Sequence, residues 1–285
     1  MRRLFPADAS VRRMKKYLPA LILFGFFEAV AVGLWLCLDN LFYLLNFSYI
    51  GVSLALGMLL YARNCRFARQ AVQLAVGLYM LVYLGIIRRE NMQIEGFWYY
   101  LFRGTFEAAV IHYAVAKLFG PLLFGRGWCG YACWTAMVLD LLPYKRPRNP
   151  RRKLGWLRFV TFALSLLFVA ALFLAGPADK EGIMFRAFLL GNGLYYAAGI
   201  FLAWRLKDNR AFCKYLCPVT VFLKPMSYFA RWRITCDKSR CVSCGLCRKV
   251  CPMDVEVTDN SRRRENATEC ILCMECVKAC PRKAL

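Results

Sequence analysis

Long apolar runs separated by short polar ones fill the chain from Tyr17 to Trp204. Six of them, Tyr17 to Leu38, Leu41 to Ala62, Ala71 to Ile87, Phe97 to Phe119, Trp156 to Ala175 and Ile183 to Trp204, approach the length of about 20 residues that a helix needs to cross a bilayer. The third is short, so Arg69 and Arg88 must reach outward at its ends. The pattern predicts an all-α polytopic membrane bundle of about six transmembrane helices. After Trp204 the chain becomes polar and rich in cysteine, and a tail this small needs bound metal to hold its fold.

Charge sets the expected orientation. The formal net charge is +23, but the basic residues gather at span ends and in loops such as "RNCRFAR" and "PYKRPRNPRRK", whereas "DN" and "PADKEG" are not basic. The positive-inside rule then puts both termini, and the cysteine-rich tail, on the cytoplasmic side of the inner membrane, and it explains the charge without nucleic acid. The first eighteen residues carry six basic ones, and no small-residue cleavage site follows the first apolar run, so that run reads as an uncleaved span.

Eight of the 15 cysteines spell a chemistry. "CVSCGLCRKVCP" and "CILCMECVKACP" each read C-x2-C-x2-C-x3-C-P, in which three cysteines cap one face of a [4Fe–4S] cube and the fourth reaches the other cluster. The expected ligand sets are Cys241, Cys244, Cys247 and Cys280 for one cluster, and Cys270, Cys273, Cys276 and Cys251 for the other. A pair of zinc sites would also use such thiolates, but the doubled Cys-Pro ending points to iron and sulfur. The chain thus divides into a transmembrane helical domain, 1–230, and a cytoplasmic ferredoxin-like domain of α+β type, 231–285, holding two [4Fe–4S] clusters.

Two further pairs lie where apolar runs end: "GRGWCGYACW" with Cys129 and Cys133, and "CKYLCP" with Cys213 and Cys217. Together with the two ferredoxin runs, these elements resemble the membrane-bound polyferredoxins typified by the NapH quinol dehydrogenase subunit, with NosR-type and FixG/CcoG-type proteins as relatives. The resemblance covers residues 97–285. Trp134 follows the first pair where the family usually has proline, and the first three spans exceed the family's four-span pattern. The resemblance implies a cytoplasm-facing ferredoxin domain that exchanges electrons with the membrane quinone pool and a protein redox partner, a reductase or ferredoxin-like subunit.

The topology puts all four paired thiols at one membrane face. They could hold a third centre, an iron–sulfur cluster or a single metal ion. They could instead form a redox dithiol, its pKa depressed by Arg126, Arg210 and Lys214, or be small buried residues at packing contacts. Cys37 and Cys65 have no spaced partner, and Cys236 stands five before Cys241 as a spare ligand.

Ionisable residues at membrane depth are candidate functional groups. The fourth run contributes Arg103 and Glu107, four apart and able to pair, and His112, the chain's single histidine, which excludes bis-histidine haem ligation within this subunit. Arg103, Glu107 and His112 are the expected quinol site, with Glu107 and His112 taking protons. The run Phe97 to Tyr100 reads as an interfacial aromatic belt. No G-x-G-x-x-G or P-loop glycine signature accompanies them. The expected function is electron transfer between quinol and a redox partner within a respiratory reductase. The alternatives are a copper or metal reductase or maturation factor, and a redox-sensing regulator.

Overall fold

The computed structural model describes residues 7–63, 65, 67–106, 108–147 and 149–285. Among the described residues, five helices are long and apolar enough to cross a membrane: Tyr17–Leu38, Leu41–Ala62, Ala68–Ile87, Leu157–Ala175 and Lys180–Leu206. The chain forms two compact units, Met1–Gly77 and Leu78–Leu285.

The first unit is built on a helical hairpin. Helix α1 (Ala7–Leu38) turns at Asp39 and α2 (Leu41–Ala62) begins on Asn40, whose side chain accepts from Phe42 N at 2.9 Å. The helices approach closely because Gly51 has no Cβ; one built there would lie 2.6 Å from Phe27 Cβ. Within α1, Glu28 accepts from Ser48 Oγ at 2.8 Å, so this acid at membrane depth has a hydroxyl partner.

Helix α3 (Ala68–Ile87) widens to a π-helix from Tyr79 onward. The second unit continues with α4 (Ile94–Phe102) and α5 (Ala109–Phe124). The expected span Phe97 to Phe119 is therefore two helices, and five spanning helices stand where six were expected. Gly104, at φ +71°, ends α4 in the left-handed region, and Thr105 N closes the turn on Tyr100 O at 3.0 Å. In α5 the backbone is π-helical over Ala114–Phe119, the turn before Pro121, which has no N–H to donate.

The expected aromatic belt is instead part of the bundle's interior. Phe97 stacks on Tyr113 at 5.0 Å, and Trp98 meets Phe162 edge-on at 5.5 Å. Such rings bury roughly 150–250 Å² each, so the turn after α4 is anchored through α4 itself. Helices α6 (Gly127–Tyr131) and α7 (Trp134–Leu139) follow, then α8 (Leu157–Ala175) and α9 (Lys180–Leu206). Asp179 caps α9, its side chain accepting from Gly182 N at 2.8 Å. Outward-facing Leu164, Leu174, Leu190 and Leu194 are exposed along α8 and α9, as lipid-facing positions require.

Helices α10 (Ala211–Tyr215) and α11 (Thr220–Tyr228) lead to the tail, where only α12 (Leu246–Val250), α13 (Glu275–Ala279) and a 3₁₀ turn (Ala267–Glu269) are regular. No β-strand forms among the described residues, so the tail has the α part of the expected α+β arrangement. Single backbone bonds, Glu256 N to Glu265 O at 3.1 Å and Asp237 N to Ala284 O at 2.7 Å, join its irregular segments in place of a ladder.

Candidate functional site

The two cysteine runs of the tail are conformational copies, 29 residues apart. Ser243 and Leu272, Gly245 and Met274, and Asp254 and Lys283 all occupy the left-handed region, and α12 and α13 are the same five-residue helix repeated. Left-handed residues interleaved in such loops turn successive N–H groups to one side, which suits an anionic centre. Amides reach sulfur at matching positions: Val255 N lies 3.4 Å from Cys251 Sγ, and Ala284 N 3.3 Å from Cys280 Sγ. The amides of Ser243 and Leu272 likewise favour the thiolates of Cys241 and Cys270, although burial pushes the Cys270 thiol up.

Each run shares a cavity with the last cysteine of the other. Cys241, Cys244, Cys247 and Cys280 line one of about 380 Å³. Cys251, Cys270, Cys273 and Cys276 line the second, of about 320 Å³. Among the described residues no group of His, Cys, Asp or Glu closes tightly enough for a single metal ion. Open sets of four thiols with N–H groups aimed at sulfur fit a [4Fe–4S] cube, which holds its thiolates farther apart than one tetrahedral ion does. Cys236 is buried and lines the first cavity, where its thiol hydrogen-bonds that of Cys241.

The membrane-face pairs form a second repeat, Arg-x2-Cys-x3-Cys, 84 residues apart. Its two short helices, α6 and α10, follow Arg126 and Arg210 in the same register. The arginines are exchanged between the copies: Arg126 donates to Cys213 O at 3.2 Å, and Arg210 donates to Cys129 O at 3.1 Å. This reciprocity brings the two motifs together. Cys129 and Cys213 are buried, Cys133 and Cys217 half-buried, and all four thiols feel one another's charge.

The expected depression of these thiol pKa values is not what the structure gives. Burial pushes Cys213 up to about 11 despite the nearby Arg210. Cys133 and Cys217 are also raised, by burial first and by neighbouring thiols second. The arginines are diverted: Arg210 is held by Asp140 at 2.5 and 2.7 Å and Arg126 by Glu269. A dithiol here would rest protonated and slow to react, whereas a metal centre displaces those protons.

The paired motifs dock on the second ferredoxin cavity. A Cβ on Gly130 would strike Ile271 O, and Tyr131 Oη donates to Leu272 O at 2.9 Å. Cys129 shares one buried core with Cys247, Cys251, Cys273 and Cys276. Ion pairs fasten the joint: Lys214 bridges Asp208 at 2.7 Å and Asp254 at 2.6 Å. Glu269, next to Cys270, is fully buried among Arg126, Arg151 at 2.8 Å, Lys224 at 3.1 Å and Arg158 at 3.4 Å. Burial alone would raise this carboxyl, but the cations overcome it and hold the pKa at about 2. Sequence reading named neither Glu269 nor Gly130; only the spacing Arg126-x2-Cys129, repeated at Arg210, carried a signal.

The expected quinol residues part company. Arg103 pairs with Glu181 at 2.6 Å, from the start of α9. Glu107, its expected partner, lies outside the described residues. His112 is buried with its ring 5.2 Å from that of Trp128, the residue before Cys129. Lys117, one and a half turns further along α5, is buried with Nζ 5.2 Å from the same indole. Neither His112 Nε2 nor Trp128 Nε1 has a hydrogen-bond partner among the described residues. Of the isolated cysteines, Cys37 is exposed and Cys65 half-buried.

A 4Fe-4S dicluster domain model matches residues 240–285, and a 4Fe-4S binding domain model matches 109–153 and 192–235, the two segments that carry the membrane-face pairs. An uncharacterized protein of Methanocaldococcus jannaschii is 27% identical over 56% of this chain and 63% of its own length. The methylamine utilization ferredoxin-type protein MauN of Methylobacillus flagellatus is 29% identical over 53% of this chain and 58% of its own. The ferredoxin-type protein NapH of Haemophilus influenzae is 26% identical over 60% and 64%. The chain thus spans about six-tenths of the length of these relatives. No solved structure matches.

Proposed function

We propose that this chain, which is similar to NapH-type polyferredoxins and carries [4Fe–4S] domains, is an electron-transport protein of the membrane that passes electrons from quinol to a redox partner through three centres in series. Cys129, Cys133, Cys213 and Cys217 hold the first. Cys270, Cys273, Cys276 and Cys251 hold the second, and Cys241, Cys244, Cys247 and Cys280 the third. When bound, [4Fe–4S] clusters supply one-electron storage at each position. The observation that carries this reading is the joint at which Gly130 lies against Ile271 O and Tyr131 Oη donates to Leu272 O at 2.9 Å, both within the second cysteine run.

The residues of the chain set the path around these centres. Gly130 lets the first motif lie on the Ile271 backbone, which shortens the distance between the membrane-face thiols and the second set. Arg126, Arg210 and Lys117 place cations beside four thiols that are anionic once they bind metal. Quinol gives up protons with its electrons, and His112 Nε2, buried and unpartnered beside Trp128, is the acceptor for one of them. Lys117 stabilises the oxygen that loses it. Arg103, engaged with Glu181, positions α4 against α9.

Both termini and the ferredoxin tail face the cytoplasm in this scheme, and α4 with α5 together return the chain across the bilayer. The partner that takes the electrons is a reductase or ferredoxin-like subunit at the exposed side of the third set, where Cys244 is open to solvent. The test is anaerobic reduction by a quinol analogue, followed by bleaching of the iron–sulfur absorbance. Full bleaching in the wild type and at least a hundredfold slower bleaching in His112→Ala are expected. Equal rates in the two would remove His112 from the reaction.

A further inference from the structure

A third cleft opens beside the second ferredoxin loop, and apart from Cys270 its lining takes no part in the redox chemistry above. Phe124, Tyr228 and Trp232 give its lining an aromatic part, and Arg233, Arg262 and Arg264 a strongly basic one. Among the described residues these three arginines form no ion pair with a carboxylate. Each is instead spent on main-chain carbonyls: Arg233 on Asn260 O at 2.9 Å, Arg262 on Tyr228 O at 2.7 Å, and Arg264 on Ile234 O and Asp259 O, both at 2.9 Å. Two polar atoms of the lining, Arg264 Nε and Ser227 Oγ, are buried with no hydrogen-bond partner among the described residues, and both residues are more than nine-tenths buried.

Three uncompensated guanidinium groups around one cleft repel one another, and a buried N–H and hydroxyl without partners add to the cost. An oxyanion removes both penalties, and guanidinium forks match phosphate oxygens in pairs. The surroundings specify what carries the oxyanion. The segment Phe229-Ala230-Arg231-Trp232-Arg233 alternates exposed aromatic rings with basic side chains, Phe229 being 63% and Trp232 51% exposed. Arg231 N and Trp232 N bond Leu122 O and Leu123 O, at 2.9 and 2.7 Å, so the segment is pinned to the last turn of apolar α5. Aromatic and basic residues mixed at the end of a membrane helix are the composition that lies among lipid headgroups.

We propose that this cleft binds a phosphate group, and that the group is the headgroup phosphate of an anionic membrane lipid. The site touches the relay, because Cys270 lines the same cleft and Arg264 acts electrostatically on its sulfur. A bound phosphate offsets that cation, so occupancy shifts the reduction potential of the centre held by Cys270 to more negative values.

The test uses the full chain purified anaerobically in mild detergent, washed, and supplied with phosphatidylglycerol or phosphatidylcholine before native mass spectrometry. Wild type retains one phosphatidylglycerol per chain and no phosphatidylcholine. Arg233→Gln/Arg262→Gln retains at least tenfold less phosphatidylglycerol with its iron content unchanged. Should the double variant lose iron, Arg233→Gln alone, which gives up one carbonyl contact, serves instead and shows at least a threefold fall. Inorganic phosphate is the competing probe: displacement of the lipid by millimolar phosphate supports the site, whereas phosphate binding without lipid retention overturns the lipid assignment. Equal retention by wild type and variants, or capture of an acidic protein in place of lipid, overturns the proposal.

Discussion

Gly130 and Arg126 stand at the joint between the membrane-face motifs and the ferredoxin loops, and their chemistry makes the joint sensitive to single substitutions. Gly130→Val would drive a branched side chain into Ile271 O, an overpacking that costs about 1–3 kcal/mol. Thermal unfolding should report a lower Tm, and the signal of the centre held by Cys270 should broaden while that of Cys241 stays sharp. Arg126→Met leaves Glu269 buried beside three remaining cations, but leaves its Oε2 and Cys213 O without their donor, a loss of about 1–3 kcal/mol for each buried group left unsatisfied. Arg126→Met/Glu269→Gln should cost less than the sum of the two single losses, and strict additivity would mean that the two do not act as a pair. The eight ferredoxin cysteines were legible in the sequence because thiolate spacing on a tight loop is local. Glu269 was not, since its main partner lies 143 residues away and nothing local distinguishes it from a surface acid. The thiol acidity was misread for a related reason: adjacent arginines in sequence suggested lowered pKa values, but folding gives those arginines to Asp140 and Glu269 and buries the thiols.

At the scale of elements the molecule is two duplications laid against each other. The 29-residue repeat crosses its fourth cysteines, since Cys280 lines the cavity of Cys241 and Cys251 that of Cys270. EPR of single variants checks this: Cys280→Ser should disturb the same signal as Cys241→Ser, and Cys251→Ser the same one as Cys270→Ser. If Cys280→Ser instead matched Cys276→Ser, the crossing would be wrong. The 84-residue repeat could be read from Cys-x3-Cys alone, but its exchange of arginines could not, because a reciprocal contact needs both copies in place. The fourth apolar run shows where hydropathy fails. Phe97 to Phe119 has the composition of a span, yet Gly104 in the left-handed region breaks it, and the aromatic residues of α4 pack inward. A window of mean hydropathy averages over such a break, and apolar residues facing lipid and apolar residues facing a bundle score alike.

For the whole molecule, the orientation proposed above, with both termini cytoplasmic, rests on the basic loops. A phosphatase fused in the loop at Gly176 should be active outside the cytoplasm, and a green fluorescent protein fused after Leu285 should fluoresce inside it. The reverse pattern would invert the scheme and put the ferredoxin tail on the wrong side for a cytoplasmic partner. In the proposed relay the four membrane-face thiols hold a centre of their own, in line with the ferredoxin pair. Iron and acid-labile sulfide per chain, measured on protein purified without oxygen, test it most directly when wild type is set beside Cys129→Ser/Cys213→Ser. About twelve irons are expected in the wild type and about eight in the variant, with the two ferredoxin signals retained. About eight irons in both would contradict it and leave the paired cysteines as a packing motif at the joint.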